Sequence, residues 1–214
     1  MEENDLILTP QRTWHHHENP SDEPVIWLDA IDTPFVRNMN AIFYEQYSSM
    51  KQPVVDPGDS VQLDTGWTRP RWRNVDAERG LAVAYKWAST FNRLKRLARK
   101  EGSPYDGVIL EYVNPLTGGS ALPTMDCHVQ MLRGGEETKT HRHTSGAVYF
   151  VIQGEGETVA GDQAFRWSKG DGFVVPNWCP HRHRNLVRDD ALLFSVSDAP
   201  LLKAAQLYRE EAVS

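Results

Sequence analysis

His141 and His143 flank a single residue in THRHT. Side chains on a strand alternate between faces, so two imidazoles at this spacing point one way while Arg142 points the other. His181, in WCPHRHRN after another apolar segment, can supply a third nitrogen once neighbouring strands close on one another. Neutral imidazoles suit Fe, Zn, Cu or Ni, and three of them leave open positions on an octahedral ion. A closed structural zinc site would want a fourth protein ligand, and none is evident. The spacing therefore predicts a metal centre at His141, His143 and His181. His183 shares strand parity with His181 and is expected either to face the pocket as a hydrogen-bonding group or base, or to be an inert polar residue. By the same parity Arg142, Arg182 and Arg184 should point outward as solvated or interface charges, and Cys179 reads as a packed thiol.

Strands must position these side chains. After Pro104, short segments rich in β-branched and aromatic residues recur between turn signals: GVILEYVN, DCHVQML, GAVYFVIQ, ETVAG, FRWS, GFVVP and ALLFSV. GG, GEG, GD and KGDG are expected where strands reverse, and a jelly-roll barrel is the natural closure. Trp167 and Trp178 should fill the barrel or its rim. An HRH pair alone also occurs by accident on surface loops. Its sequel here, GEG, then KGDGFVVP, then H-x-H-x-N, resembles the two motifs of cupins. Many cupins add a glutamate ligand four or five residues after the second His; those positions hold Ala147 and Val148, so the site is three-His without a carboxylate.

An internal repeat organises the rest. An offset of 166 residues aligns NDLILTPQRTWHHHEN with GDGFVVPNWCPHRHRN, pairing Asp5 with Asp171, Pro10 with Pro176, His15 with His181, His17 with His183 and Asn19 with Asn185. Asp32 and Pro34 then meet Asp198 and Pro200, and VIWLDAIDTPF matches LLFSVSDAPLL as an apolar segment. The partner of HRH would precede Met1, so the chain is expected to begin partway through a first barrel. The expected organisation is mainly β: residues 1–48 the C-terminal remnant of a first cupin, 49–104 a linker, and 105–214 a complete cupin, the double-stranded β-helix or jelly-roll barrel. KQPVVDPGDS and TGWTRPRWRN read as irregular, and Asp76 to Lys100 as an amphipathic helix with Tyr85, Trp87, Phe91, Leu94 and Leu97 on one face. The VIWL strand should need cover from the second barrel or a neighbouring chain.

Composition narrows the function classes. The 214 residues are 40% hydrophobic and 24% charged, as in ordinary globular proteins. A net charge of -6 with no basic stripe argues against nucleic acid as a partner. No apolar run is long enough for a membrane span, and MEENDLI lacks the features of a signal peptide, so a cytoplasmic chain is expected. Cys127 and Cys179 are then expected to be free thiols.

DLILTPQRTWHHHEN, EPVIWLDAIDTPF, LEYVNPLTGGSALPT, THRHTSGAVYFVIQGEG, RWSKGDGFVVPNWCPHRHRN and LFSVSDAPLLKAAQLYREE together resemble the gentisate 1,2-dioxygenase family of two-cupin ring-cleaving enzymes. Salicylate and 1-hydroxy-2-naphthoate dioxygenases are close relatives of that family. The resemblance implies Fe(II), O2 and a hydroxylated aromatic acid, with gentisate opened to maleylpyruvate, and a homo-oligomer. Three His ligands leave positions for the substrate carboxylate, its ortho hydroxyl and O2. In such enzymes the catalytic iron is usually assigned to the first cupin, whose residues His15, His17 and Asp29 resemble here, without the two ligands that would complete that site. The alternative is a non-catalytic cupin that binds metal or builds an oligomer.

Overall fold

The structure, a computed structural model, describes residues 1–9, 11, 13–49, 52–53, 63–64, 83–115 and 117–213. Two compact units are present: residues 1–6 with 85–214, and residues 7–84. Most of KQPVVDPGDS, all of RPRWRN and the residues 76–82 lie outside the described residues.

In the larger unit, strands follow one another as β-branched and aromatic runs between turns. They are β4 (Val108–Glu111), β5 (Asp126–Leu132), β6 (His141–His143), β7 (Ala147–Gln153), β8 (Glu155–Ala160), β9 (Gln163–Ser168), β10 (Gly172–Val175), β11 (His181–Asn185), β12 (Ala191–Ser197) and β13 (Glu210–Ala212). Among the described residues they form two five-stranded sheets, ordered β10-β7-β12-β5-β4 and β13-β6-β11-β8-β9. This is the two-sheet architecture expected of a jelly roll.

Register fixes the interior face of each sheet. Ala147, Tyr149 and Val151 are buried on β7 while Val148 between them is exposed. Their partners on β12 are Ser197, Ser195 and Leu193, which in turn pair with Asp126, His128 and Gln130 on β5. Leu132, Ala147, Tyr149, Val151, Trp167, Val175, Ala191 and Leu193 make up one buried cluster. The opposite face of that sheet is also covered. Helix α2 (Trp87–Ala98) packs on β4 and buries Leu94 completely, so Cys127, Val129 and Met131 are buried too. Asp5 starts this helix: its carboxylate accepts from Trp87 N at 2.9 Å and pairs with Lys86 Nζ at 2.9 Å, a capping role supplied from 82 residues away.

Three sequence expectations need correction. Tyr85 lies on strand β3 (Val83–Tyr85), not on the helix, which begins only at Trp87. GEG is not a reversal: β7 and β8 belong to different sheets, and Gly154, at φ +90°, is the corner where the chain crosses between them. Gly156 clears space instead, since a Cβ there would lie 2.2 Å from the Trp167 ring. KGDG likewise carries the chain from β9 in one sheet to β10 in the other, whereas GD at Gly161 closes a true β8–β9 hairpin. Third, VIWL is not a strand, and Val25, Ile26, Trp27 and Leu28 are all exposed.

The smaller unit holds helix α1 (Thr33–Asn38), strand β2 (Leu63–Asp64) and most of β1 (Leu6–Leu8) and β3, in a sheet ordered β1-β3-β2. The 166-residue offset is visible in the backbone. Asn4 and Gly170 both have positive φ, as do Asn40 and Gln206. Glu2 N donates to Asp5 Oδ2 at 2.9 Å, and Ser168 N to Asp171 Oδ2 at 2.8 Å. Helix α1 and helix α3 (Ala199–Ala204) each start after an Asp with Pro in the first turn. Each closes on the same bond, Ala41 N to Val36 O and Leu207 N to Leu202 O.

Candidate metal centre

β11 runs between β6 and β8, and His181 lies directly opposite His141. Strand alternation puts His143 on the same face, and the three side chains bring one potential ligand atom each within 4.8 Å of one another. The ring centroids are 4.3 Å apart for His141 and His181, 5.0 Å for His143 and His181, and 5.7 Å for His141 and His143.

Hydrogen bonds set two of the rings. His181 Nδ1 lies 3.0 Å from Cys179 O, and His143 Nδ1 lies 2.8 Å from Ser145 O. A carbonyl only accepts, so both Nδ1 atoms carry the proton and both Nε2 atoms keep a free lone pair. His181 Nε2 and His141 Nδ1 are buried without a hydrogen-bond partner, a costly state for polar nitrogens, and a metal would relieve it at His181 Nε2. Burial lowers the pKa of His181 to about 3, with His141 adding to the effect. Burial lowers His141 as well, against the pull of Asp106, whose Oδ1 lies 3.8 Å from His141 Nε2. Neutral, converging imidazoles with lone pairs fit a divalent borderline metal.

The arginines follow their predicted parity: Arg142 pairs with Glu211, Arg182 with Glu137 at 3.0 Å and Arg184 with Glu137 at 3.8 Å. His183 faces inward and is buried, its Nδ1 2.8 Å from Thr158 Oγ1 and its ring 5.0 Å from Tyr149 and 5.6 Å from His181. Burial holds its pKa well below the ordinary histidine value. Trp167 is buried in the barrel; Trp178, at φ +59°, stacks under Arg142 at 4.4 Å.

Sequence reasoning did not single out Tyr149, Asp106, Asp126, His128, Glu111 or Glu210. Strand parity could have supplied Tyr149, but the others depend on which strands become neighbours. Glu210 pairs with His143 across β13 and β6, and Glu111 with His128 across β4 and β5. Glu111, Asp126 and His128 also approach one another closely. Asp126 is already engaged, however, by Ser197 Oγ at 2.6 Å and faced by Lys203 Nζ at 3.9 Å, and Glu111 is exposed. This grouping reads as a hydrogen-bonded cluster that runs from the buried Asp126 to the exposed Glu111.

His15, His17 and Asp29 are exposed. His15 Nδ1 lies 3.3 Å from Thr13 O and its ring 5.7 Å from His17, matching the geometry of His181 and His183. Trp27 Nε1 donates to Asp29 Oδ2 at 3.2 Å. Among the described residues these three do not gather a full ligand set. No helix among those residues is long and apolar enough to cross a membrane.

Comparison with known proteins agrees with this architecture. Residues 128–197 match the cupin domain family. The chain is 42% identical to a 5-aminosalicylate 1,2-dioxygenase of Comamonas sp. over 99% of its own length and 57% of the relative's. It is 40% identical to a 1-hydroxy-2-naphthoate 1,2-dioxygenase of Nocardioides sp., covering 99% and 55%. Against a gentisate 1,2-dioxygenase of Aquipseudomonas alcaligenes it is 35% identical, covering 98% and 60%. A crystal structure of a salicylate 1,2-dioxygenase variant from Pseudoaminobacter salicylatoxidans superposes with a TM-score of 0.81 at 34% identity, covering 99% of this chain and 62% of that one. The chain thus spans little more than half the length of these relatives. Residues 128–197 thus match a cupin domain, and nearly the whole chain is similar to part of the gentisate, salicylate and 1-hydroxy-2-naphthoate 1,2-dioxygenases.

Proposed function

We propose that this chain belongs to a ring-cleaving dioxygenase, with Fe(II) held by His141, His143 and His181 and a hydroxylated aromatic acid as substrate, gentisate opened to maleylpyruvate being the leading case. The observation that carries the reading is the convergence of three imidazoles, without a carboxylate, inside a cupin whose relatives are 1,2-dioxygenases. Fe(II), when bound, supplies a redox-active Lewis acid with positions free for substrate and O2. The chain's own residues do the rest. Cys179 O and Ser145 O hold two ligand rings in the right tautomer. Tyr149, Phe173 and Trp167 wall the interior beside His183 and limit water.

The organisation that goes with this reading is a first-cupin remnant at 1–48, a linker at 49–104 and a cupin at 105–214, supported by the backbone repeat. Two free thiols, Cys127 and Cys179, favour a cytoplasmic setting, and the exposed apolar side chains of 25–44 favour a homo-oligomer.

A second reading, a non-catalytic metal-binding module, draws on the charge of the interior. By register, Glu111, Asp126 and Glu210 lie on the inward side of their strands, Asp126 buried and the two glutamates exposed, while no Lys or Arg occupies an inward-side position of β4–β13. On these strands an aromatic carboxylate would find no cationic side chain, although Lys203 of α3 reaches to 3.9 Å from Asp126. Anaerobic Fe(II) loading followed by oxygen-electrode traces with gentisate, salicylate and 5-aminosalicylate separates the two. Uptake of O2 that depends on substrate supports the dioxygenase. Traces equal to metal-free protein, with the site demonstrably full, support the module.

A further inference from the structure

Thr158 is completely buried between two ring systems. Its Oγ1 lies 2.9 Å from Trp167 Nε1 and 2.8 Å from His183 Nδ1, its two side-chain hydrogen bonds among the described residues. An indole N–H only donates, so Thr158 Oγ1 accepts from Trp167. The threonine's own hydroxyl proton then has one acceptor within reach, His183 Nδ1. If His183 instead carried its proton on Nδ1, that hydroxyl proton would be buried with no acceptor, an unfavourable state.

We infer that the chain of bonds Trp167 to Thr158 to His183 fixes His183 in its Nε2–H form, making it a standing hydrogen-bond donor inside the barrel for an anionic oxygen of a ligand held beside the His triad. Nε2 is the ring nitrogen farther from the backbone, and the side chain points inward, so this N–H heads into the interior. It forms no hydrogen bond among the described residues. His183 N is separately tied to Thr138 Oγ1 at 3.0 Å, which holds the backbone of β11 beneath the ring. Tyr149 and Phe173, at 5.0 and 6.0 Å, confine the ring and keep it from turning over. His183 is thereby a donor rather than a base. Thr158 and Trp167 are positioning residues that act through it. The arrangement also explains Gly156: any side chain there would displace the indole that starts the chain of bonds.

The ligand part of this inference rests on the proposed function; the proton's position does not. Long-range proton–nitrogen correlation spectra of chain labelled with nitrogen-15 histidine, metal-free and loaded with Zn(II), read each ring's tautomer directly, with His183 assigned by its loss in His183→Gln. The expected wild-type spectrum has His183 protonated on Nε2 only in both states. Thr158→Val should release the ring into a mixture of tautomers, and Thr158→Ser should restore it. A wild-type His183 protonated on Nδ1, or a Thr158→Val spectrum unchanged from wild type, overturns the inference; the wild-type spectrum decides even if the valine variant does not fold. For the donor's role the probe is salicylate on the Zn(II)-loaded chain, and His183→Phe should weaken its binding about tenfold or more. Equal binding by that variant would overturn the donor role while leaving the tautomer intact. No salicylate binding by Zn(II)-loaded wild type would overturn both the donor role and the aromatic-acid reading of this barrel.

Discussion

Residues 4–41 and 170–207 share a register, a pair of left-handed residues, a helix start, a helix end and an H-x-H pair, yet the H-x-H pair and the apolar segment after it are buried only in the second stretch. Ile26 is 97% exposed, while its counterpart Leu192 is 1% exposed. Trp27 is 50% exposed against 0% for Leu193. The local chemistry is not what differs. Ala191–Ser197 is hydrogen-bonded on both sides, by β5 and β7, and so becomes a strand with two packed faces. Val25–Ile31 has the apolar sequence without those neighbours among the described residues and forms no strand. Turns and caps are thus set within a few residues, whereas a strand needs partners.

The sharpest way to test this contrast is through metal. His141→Ala with His143→Ala should abolish the binding of about one Fe(II) per chain, a loss of two or more orders of magnitude, while His15→Ala with His17→Ala leaves it unchanged. Metal analysis after desalting reads both. Two tightly bound ions per wild-type chain would show that the first copy also holds a complete site.

Packing comes next. Leu193→Ala should cost about 2–5 kcal/mol of stability in urea unfolding, since it opens a cavity in the barrel core. Trp27→Ala should change it by no more than about 0.5 kcal/mol, as for an exposed side chain. A Trp27→Ala cost near that of Leu193→Ala would reveal that residues 25–31 are covered in solution, and its dependence on protein concentration would show whether a second copy provides the cover.

A pH series on metal-free protein addresses the histidines. His181, with its folded pKa at about 3, and His183 and His141, also lowered, remain neutral in the fold where the unfolded chain takes up protons. The unfolded state therefore binds more protons below about 6.5, and stability should fall as pH drops through that value. Each such imidazole adds a slope of up to about 1.4 kcal/mol per pH unit, continuing toward pH 3 for His181. A flat profile between pH 7 and about 5 would mean that the triad region is solvated.

The smallest effect concerns the left-handed residues that close the two short helices. Gln206, at φ +60°, should gain about 0.5–1 kcal/mol on replacement by Gly, and Asn40, at φ +54°, less, because asparagine tolerates this conformation better. Thermal unfolding of each single variant measures the difference.

Much of the centre was legible in the sequence because strand parity is a local rule. One residue between His141 and His143, and one between His181 and His183, is enough to place these rings on one face and the arginines on the other. The 166-residue repeat was legible for the same reason, since Pro in the first turn of a helix and a left-handed residue at its end act over a few bonds. What parity could not supply was the identity of neighbours. GEG read as a turn because glycine marks corners, but the role of Gly156 depends on Trp167 arriving from the next strand. Tyr85 fitted a helical spacing, yet it is taken into a strand.

The sequence by itself thus determined which imidazoles share a strand face and where the repeated short helices start and end, all of which follow from backbone geometry within a few residues. Only the tertiary structure decided that His183 is buried against Thr158, that Asp126 is buried on β5 beside β12, and that VIWL is exposed while ALLFSV is core. The physical reason is that burial and electrostatic environment are properties of what packs around a residue, and two nearly identical local segments meet different surroundings.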